Sequence, residues 1–227
     1  MAPTDRYRNP ADLPQQIPVF PLRGVILLPR ATLPLSIFEP RYLDMIEDVL
    51  AGQRVFGIVQ PERSESDEES PAGKSVGLRP IGCVGRLTAF QEVADSRVLV
   101  TMTGIARFDL RSEVSTEKPY RVFDVDYAPY DDDFQHGAGE EAVDRNNLLR
   151  VLKAYLEAHK LKADWRSILS APTEYLVNSL SIVCPYGPEE KQALLEAPDL
   201  KTRADVLMAL AEMELASNES GSGGAVN

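Results

Sequence analysis

The chain has 227 residues, 44% of them hydrophobic and 26% charged, enough to bury a real core in one large domain or two small ones. Its net charge of −11 weighs against phosphate backbones and anionic membranes, which need basic surfaces. Two distant cysteines (Cys83 and Cys184), no apolar run of ~20 residues and no signal-type apolar segment at the N-terminus point to a soluble cytoplasmic protein with free thiols.

Residues 1–12 read as a loose arm with no apolar period. The stretch Ile17–Tyr42 then packs apolar residues between prolines at 18, 21, 29, 34 and 40. Proline fixes φ and removes a backbone donor, so no helix runs through this spacing. It predicts a strand at Ile17–Phe20, a turn at Leu22-Arg23-Gly24, an irregular apolar segment, and a second strand at Thr32–Phe38. Pro40 opens a helix over Arg41–Leu50, with Tyr42, Met45, Ile46 and Val49 on one face and Gly52 as its stop.

Arg54–Gln60 is a short apolar strand. Pro61–Ser75 is polar and acidic; the expectation is a mobile connection and the first internal site of proteolytic nicking. Val76–Val93 reads as one bent strand or two, interrupted by Gly77, Gly82 and Gly85. Asp95-Ser96 suits a hairpin turn, and Arg97–Thr103 alternates as a strand does. Phe108–Val114 and Tyr120–Tyr127 complete a series of short strands that suggests a closed or nearly closed barrel.

Composition changes at 128–139, which reads as a linker whose Asp131-Asp132-Asp133 run is solvated. Helical patterns follow at Glu140–His159, Asp164–Ser170, Pro172–Val183 and from Pro188 to near Ala197. Asp199 caps a last helix, and 217–227 reads as a disordered tail. Trp165, the only tryptophan, is expected to anchor its short helix by burial, because two turns have little stability alone.

Chemistry-bearing motifs are sparse. His136 and His159 have no carboxylate or cysteine set with metal-ligand spacing around them, so no metal site is expected. Pro71-Ala72-Gly73-Lys74-Ser75 has the end of a phosphate-binding loop, but Glu68 stands where that loop needs its first glycine. Asp124 and Asp126 share a strand face that reads as the water side of an edge strand. The cluster Phe38-Glu39-Pro40-Arg41-Tyr42 is the candidate site. Phe38, Glu39, Arg41 and Tyr42 contribute either to packing beneath the barrel or to a peptide-binding surface.

Several stretches carry a family resemblance: PVFPLRGVILLPRATLPLSIFEPRY, VGLRPIGCVGRLTAF, Gly104-Ile105-Ala106-Arg107-Phe108, EYLVNSLS and PEEKQALLEAPDLKTRADVL. Together they resemble the N-terminal, substrate-binding domain of Lon protease, and more closely the bacterial stand-alone proteins made of that domain. The resemblance covers roughly Leu13–Leu215. It implies an α+β fold, with a PUA-like β-barrel over 13–127 followed by a packed helical bundle over 140–216. It further implies a non-enzymatic module with no cofactor, binding unfolded or tagged polypeptides or a protease or chaperone partner. Such a module would act as a monomer, as an adaptor or competitor in protein quality control. The ATPase and protease modules of full-length enzymes have no counterpart in this sequence, so neither activity is expected. The competing readings are a hydrolase with a cryptic site and an RNA-binding PUA-like protein.

Overall fold

A computed structural model of the chain describes residues 4–62, 76–93 and 97–222, with side chains as far as 217. The acidic run beyond Glu62 with its phosphate-loop-like motif, the expected Asp95-Ser96 turn and the end of the tail lie outside the described residues. The strands are β1 (Gln16–Pro21), β2 (Thr32–Ile37), β3 (Val55–Val59), β4 (Ile81–Val93), β5 (Arg97–Val114) and β6 (Val122–Asp126). The helices are α1 (Pro40–Ala51), α2 (Arg145–Ala158), α3 (Trp165–Ser170), α4 (Thr173–Val183), α5 (Pro188–Glu196) and α6 (Leu200–Ser222). Strands followed by helices make the chain α+β.

The strands pair in the order β2-β5-β4-β3-β1-β6, and β6 pairs again with β5, so the ladder returns on itself. β1 and β3 run parallel, with Val19 opposite Gly57, because β2 and α1 lie between them in the chain. The remaining pairings are antiparallel. One apolar cluster is built mainly from strand residues, including Ile17, Val19, Val84, Phe108 and Phe123. A second cluster joins Leu27, Leu28, Met45, Ile46, Phe56 and Met102 to Val177, Leu194 and Ala204 of the helical half.

Residues expected in two strands, Arg97–Thr103 and Phe108–Val114, form the single long β5. The reason lies at Gly104. The irregular segment after β1 folds inward, and Arg30 N donates to Gly104 O (2.9 Å) while Gly104 N donates to Ala31 O (2.9 Å). A Cβ at Gly104 would stand 2.0 Å from the Leu28 carbonyl oxygen. Glycine lets the strand continue while a second backbone crosses it closely. The strand expected from Val76 starts only at Ile81, and its irregularities fall at Val84/Gly85 and Leu87/Ala89.

Two segments expected to be loose are tied down. Tyr7 of the N-terminal arm is buried, as is Leu13 just after it, and Asn9 and Asp12 reciprocally cap a 3-10 turn at Pro10–Asp12. The linker forms a 3-10 turn over Ala128–Phe134 in which Asp133 and Phe134 are buried, so the acidic run is not solvated throughout. Asp133 can be buried because Arg107 meets it. Arg107 N and Nε donate to Asp133 Oδ2 (2.8 and 2.9 Å), and Nη2 donates to Oδ1 (2.9 Å). Burial lowers the pKa of Arg107, but the Asp133 hydrogen bond and charge more than reverse it, leaving the guanidinium above its ordinary value.

Buried side chains that bond to main-chain carbonyls lock the two halves together. Arg107 Nη1 reaches Ala197 O (2.5 Å), just past the end of α5. Asn178 of α4 donates to Pro29 O (3.0 Å) and accepts from Arg203 of α6 (2.9 Å). Gln60, after β3, donates to Pro188 O (2.9 Å) and Gln192 Oε1 (3.0 Å). Main-chain carbonyls in a loop, at the start of α5 and at its end thus find partners on the other half.

Three helical details differ from expectation. α2 starts at Arg145 because Glu140–Ala142 forms a separate 3-10 turn and Asp144 supplies the cap. α6 continues to Ser222, beyond the expected end at 216. Trp165 is only half-buried, and α3 contributes no buried residue. Polar contacts at the ends of α3 do the anchoring instead. Asp164 caps its N-terminus, and Arg145 Nη2 donates to the carbonyls of Ile168, Leu169 and Ala171 (3.3, 3.1 and 2.9 Å).

Candidate functional site

The head of α1 is set by local chemistry. Glu39 has extended backbone at the N-cap, and its carbonyl accepts from Tyr42 N (2.9 Å) and Leu43 N (3.0 Å). Its carboxylate makes no cap bond. Instead Oε2 accepts from Arg41 Nε (3.0 Å) and Nη2 (2.8 Å). Arg41 also lies over the Tyr42 ring, 4.6 Å from its centroid. Tyr42 packs on Phe20 at 4.3 Å between centroids and is buried. Burial raises its hydroxyl pKa, with the Arg41 charge pulling the other way. Phe38, expected to pack beside Tyr42 if structural, is 64% exposed.

Glu39, Arg41 and Tyr42 are among the residues lining a groove of about 420 Å³. Arg23, Tyr120 and Arg121 also line it, together with prolines 21, 61 and 119. Phe38 is not among its lining residues, so the structure brings together three of the four candidates. Two of its cations, Arg41 and Arg121, are held by acids. Arg121 forks onto Glu113 (2.8 and 2.7 Å), and its Nη1 donates to Val76 O (2.8 Å). Nearby, Asp48 accepts from Lys118 (2.8 Å) and from the Tyr120 hydroxyl (2.5 Å), the Lys118 bond leading in holding that carboxyl below its usual range.

The other side of α1 faces a second groove, of about 500 Å³. Leu43, Ile46 and Leu50 form one wall; Phe90, Val93 and Val98 from the β4–β5 arm form the other, with Glu47, Glu92 and Arg97 among its lining. Phe90 is 40% exposed, and Leu43 and Leu50 are half-buried. Sequence periodicity found the buried face of α1 and overlooked this one. The available signal was Leu43 and Leu50, seven residues apart and off that face. Neither the β4 wall nor Arg121 carried a local signal, because each is brought in by pairing at long range.

No serine, cysteine or histidine lines either groove among the described residues. No group of three metal-ligating side chains occurs among them either. His136 faces Asp5 at 3.8 Å, and His159 faces Glu214 at 3.2 Å. Asp124 and Asp126 bond to Gln16, Ser112 and Arg111 on neighbouring strands. The grooves therefore offer apolar area, aromatic edges and paired charges, which suits binding.

Comparisons with known proteins agree on one family. Residues 16–212 match the model of the ATP-dependent protease La (LON) substrate-binding domain. The chain is 29% identical over 205 residues to Lon protease 2 of Myxococcus xanthus, covering 89% of this chain and 24% of that one. It is 26% identical to Lon protease of Flavobacterium johnsoniae, covering 86% of this chain and 24% of that one. It thus spans about a quarter of the length of these curated relatives. Among solved structures, the fold resembles a Lon N-terminal domain protein from Xanthomonas campestris (TM-score 0.58, 21% identity, 86% of this chain and 97% of that one). It also resembles the N-terminal domain of Mycobacterium avium complex Lon protease (TM-score 0.59, 16% identity, 87% of this chain and 98% of that one).

Proposed function

The chain belongs to the substrate-binding domain family of the ATP-dependent protease La (Lon), and on that premise we propose that it is a non-catalytic module binding apolar segments of unfolded or tagged polypeptides beside α1. The observation that carries this reading is the apolar groove between α1 and the β4–β5 arm, where Leu43, Leu50 and Phe90 stay partly open to solvent. Large apolar side chains held open in a concave site, with charges at the edge, suit a binding surface. Phe38, Glu39, Arg41 and Tyr42 extend that surface around the head of α1, with Phe38 as an exposed aromatic contact.

We take the closed ladder of strands to be a PUA-like barrel. The module works as a monomeric adaptor or competitor in protein quality control, with a protease, a chaperone or their substrates as partner. The two cysteines, Cys83 buried and Cys184 half-buried, are unpaired, which fits a reducing cytoplasm. No helix among the described residues is long and apolar enough to cross a membrane.

The test is fluorescence anisotropy with dye-labelled, reduced casein. Wild-type protein should bind it saturably and leave both casein and ATP intact over hours. Phe90→Asp and Arg41→Ala should each weaken binding without lowering the melting temperature. Casein binding that neither variant changes would reject the grooves. Turnover abolished by a point substitution would revive the hydrolase reading, and preferential retention of RNA would revive the nucleic-acid one.

A further inference from the structure

α3 is held in an unusual way for a helix with so many apolar residues. Arg145 grips its C-terminal carbonyls and Asp164 caps its start, while none of its side chains is buried. Leu169 is 60% exposed, Leu161 in the preceding turn is 55% exposed, and Trp165 is half-buried between them in sequence. Polar bonds at both ends thus fix the helix and leave its apolar side chains outside the core. Within the same short stretch Lys160, Lys162 and Arg166 are exposed, and none has an ion-pair partner among the described residues. These three cations outnumber the one exposed carboxylate of the stretch, Asp164, and with exposed Leu161 and Leu169 and half-buried Trp165 they form a local basic-apolar stretch on a chain of net charge −11.

We propose that the α3 patch is a docking surface for an acidic, apolar polypeptide segment of a partner protein. Charge complementarity argues for this occupant. The three cations attract carboxylates, Leu161 and Leu169 offer apolar area, and Trp165 supplies the kind of amphipathic aromatic that interfaces favour. The overall negative charge disfavours an anionic membrane as the occupant, since most of the molecular surface would be repelled from it. The surface is separate from the grooves beside α1, so it stands or falls independently of them.

Trp165 is the only tryptophan, so intrinsic fluorescence reports on this patch directly. The probes are two tryptophan-free synthetic peptides, one of alternating Leu and Glu and one of alternating Leu and Lys. The Leu/Glu peptide should shift Trp165 emission to the blue saturably, and high salt should weaken the effect. The double variant Lys162→Glu/Arg166→Glu should weaken binding roughly tenfold or more. These side chains are exposed, so an unchanged melting temperature checks that the fold is intact. Phe90→Asp should leave the response unchanged, which separates this surface from the grooves. No saturable shift with the Leu/Glu peptide, an equal shift with the Leu/Lys peptide, or an unchanged affinity in the double variant would overturn the proposal. So would a response confined to phosphatidylglycerol vesicles, which would make the patch a membrane contact.

Discussion

Arg107 of β5 and Asp133 of the connecting 3-10 turn form a doubly hydrogen-bonded pair that is almost wholly buried, and the same guanidinium reaches the carbonyls that follow α5. The pair therefore ties together the strands, the connection and the helical half. Removing one partner leaves the other as an uncompensated buried charge, which typically costs 3–5 kcal/mol. Asp133→Ala should destabilise by about that much in urea melts. A loss below about 1 kcal/mol would show that the carbonyls alone satisfy Arg107.

Gly104→Ala tests the close crossing of the chain. The added methyl would run into the backbone carbonyl of Leu28, and a backbone group yields less readily than a side-chain end. The expected cost is about 3 kcal/mol or more, at the upper end for overpacked sites. Guanidinium unfolding should show a lower midpoint with an unchanged slope. Wild-type stability in the variant would mean that the 22–31 segment moves aside freely.

For α3 the order of two substitutions is diagnostic. Arg145→Ala removes the donor to three helix-end carbonyls and to Thr173 Oγ1, and should cost about 1–3 kcal/mol. Trp165→Ala should cost less than about 1 kcal/mol, because the side chain is not part of the core. Thermal melts that rank the two the other way would restore the tryptophan as the anchor.

Lys191 gives a pH dependence with a definite sign. It is buried against the last turn of α4, donating to Ser181 O (2.8 Å) and Ile182 O (2.5 Å). Burial lowers its pKa from 10.5 to about 8. Between those values the unfolded chain holds a proton that the folded chain has released, so the contribution of Lys191 to stability rises with pH across that window and is level below it. The neutral amine keeps enough N–H groups for both carbonyls. The stability of wild type minus that of Lys191→Met should climb from pH 8 to 10.5. A flat or falling difference would contradict this placement of the lysine.

Elements governed by neighbours a few residues apart were legible in the sequence. α1 is the clearest: Pro40 opens it, Tyr42, Met45, Ile46 and Val49 form its buried face, and Gly52 ends it, as expected from spacing and φ preference alone. The prolines between Ile17 and Tyr42 likewise kept that stretch out of helix and placed β1 and β2 to within one residue at each end. The candidate cluster was legible as a set of residues; its division was not. Tyr42 turns into the core, Arg41 and Glu39 pair on the groove wall, and Phe38 stays in solvent, because Phe20 packs on Tyr42 from β1. Burial of charge was decided only by the tertiary structure. Asp133 in an acidic run looks solvated until Arg107, 26 residues earlier, is brought against it. Asn178 finds Pro29 across 149 residues. An isolated polar side chain is too costly to bury, and the partner that removes the cost comes from pairing at long range, which local pattern does not encode. The same holds for α3: two turns of amphipathic sequence show an apolar face, but whether that face is covered depended on Asp164 capping the start of the helix and Arg145 binding the carbonyls at its end.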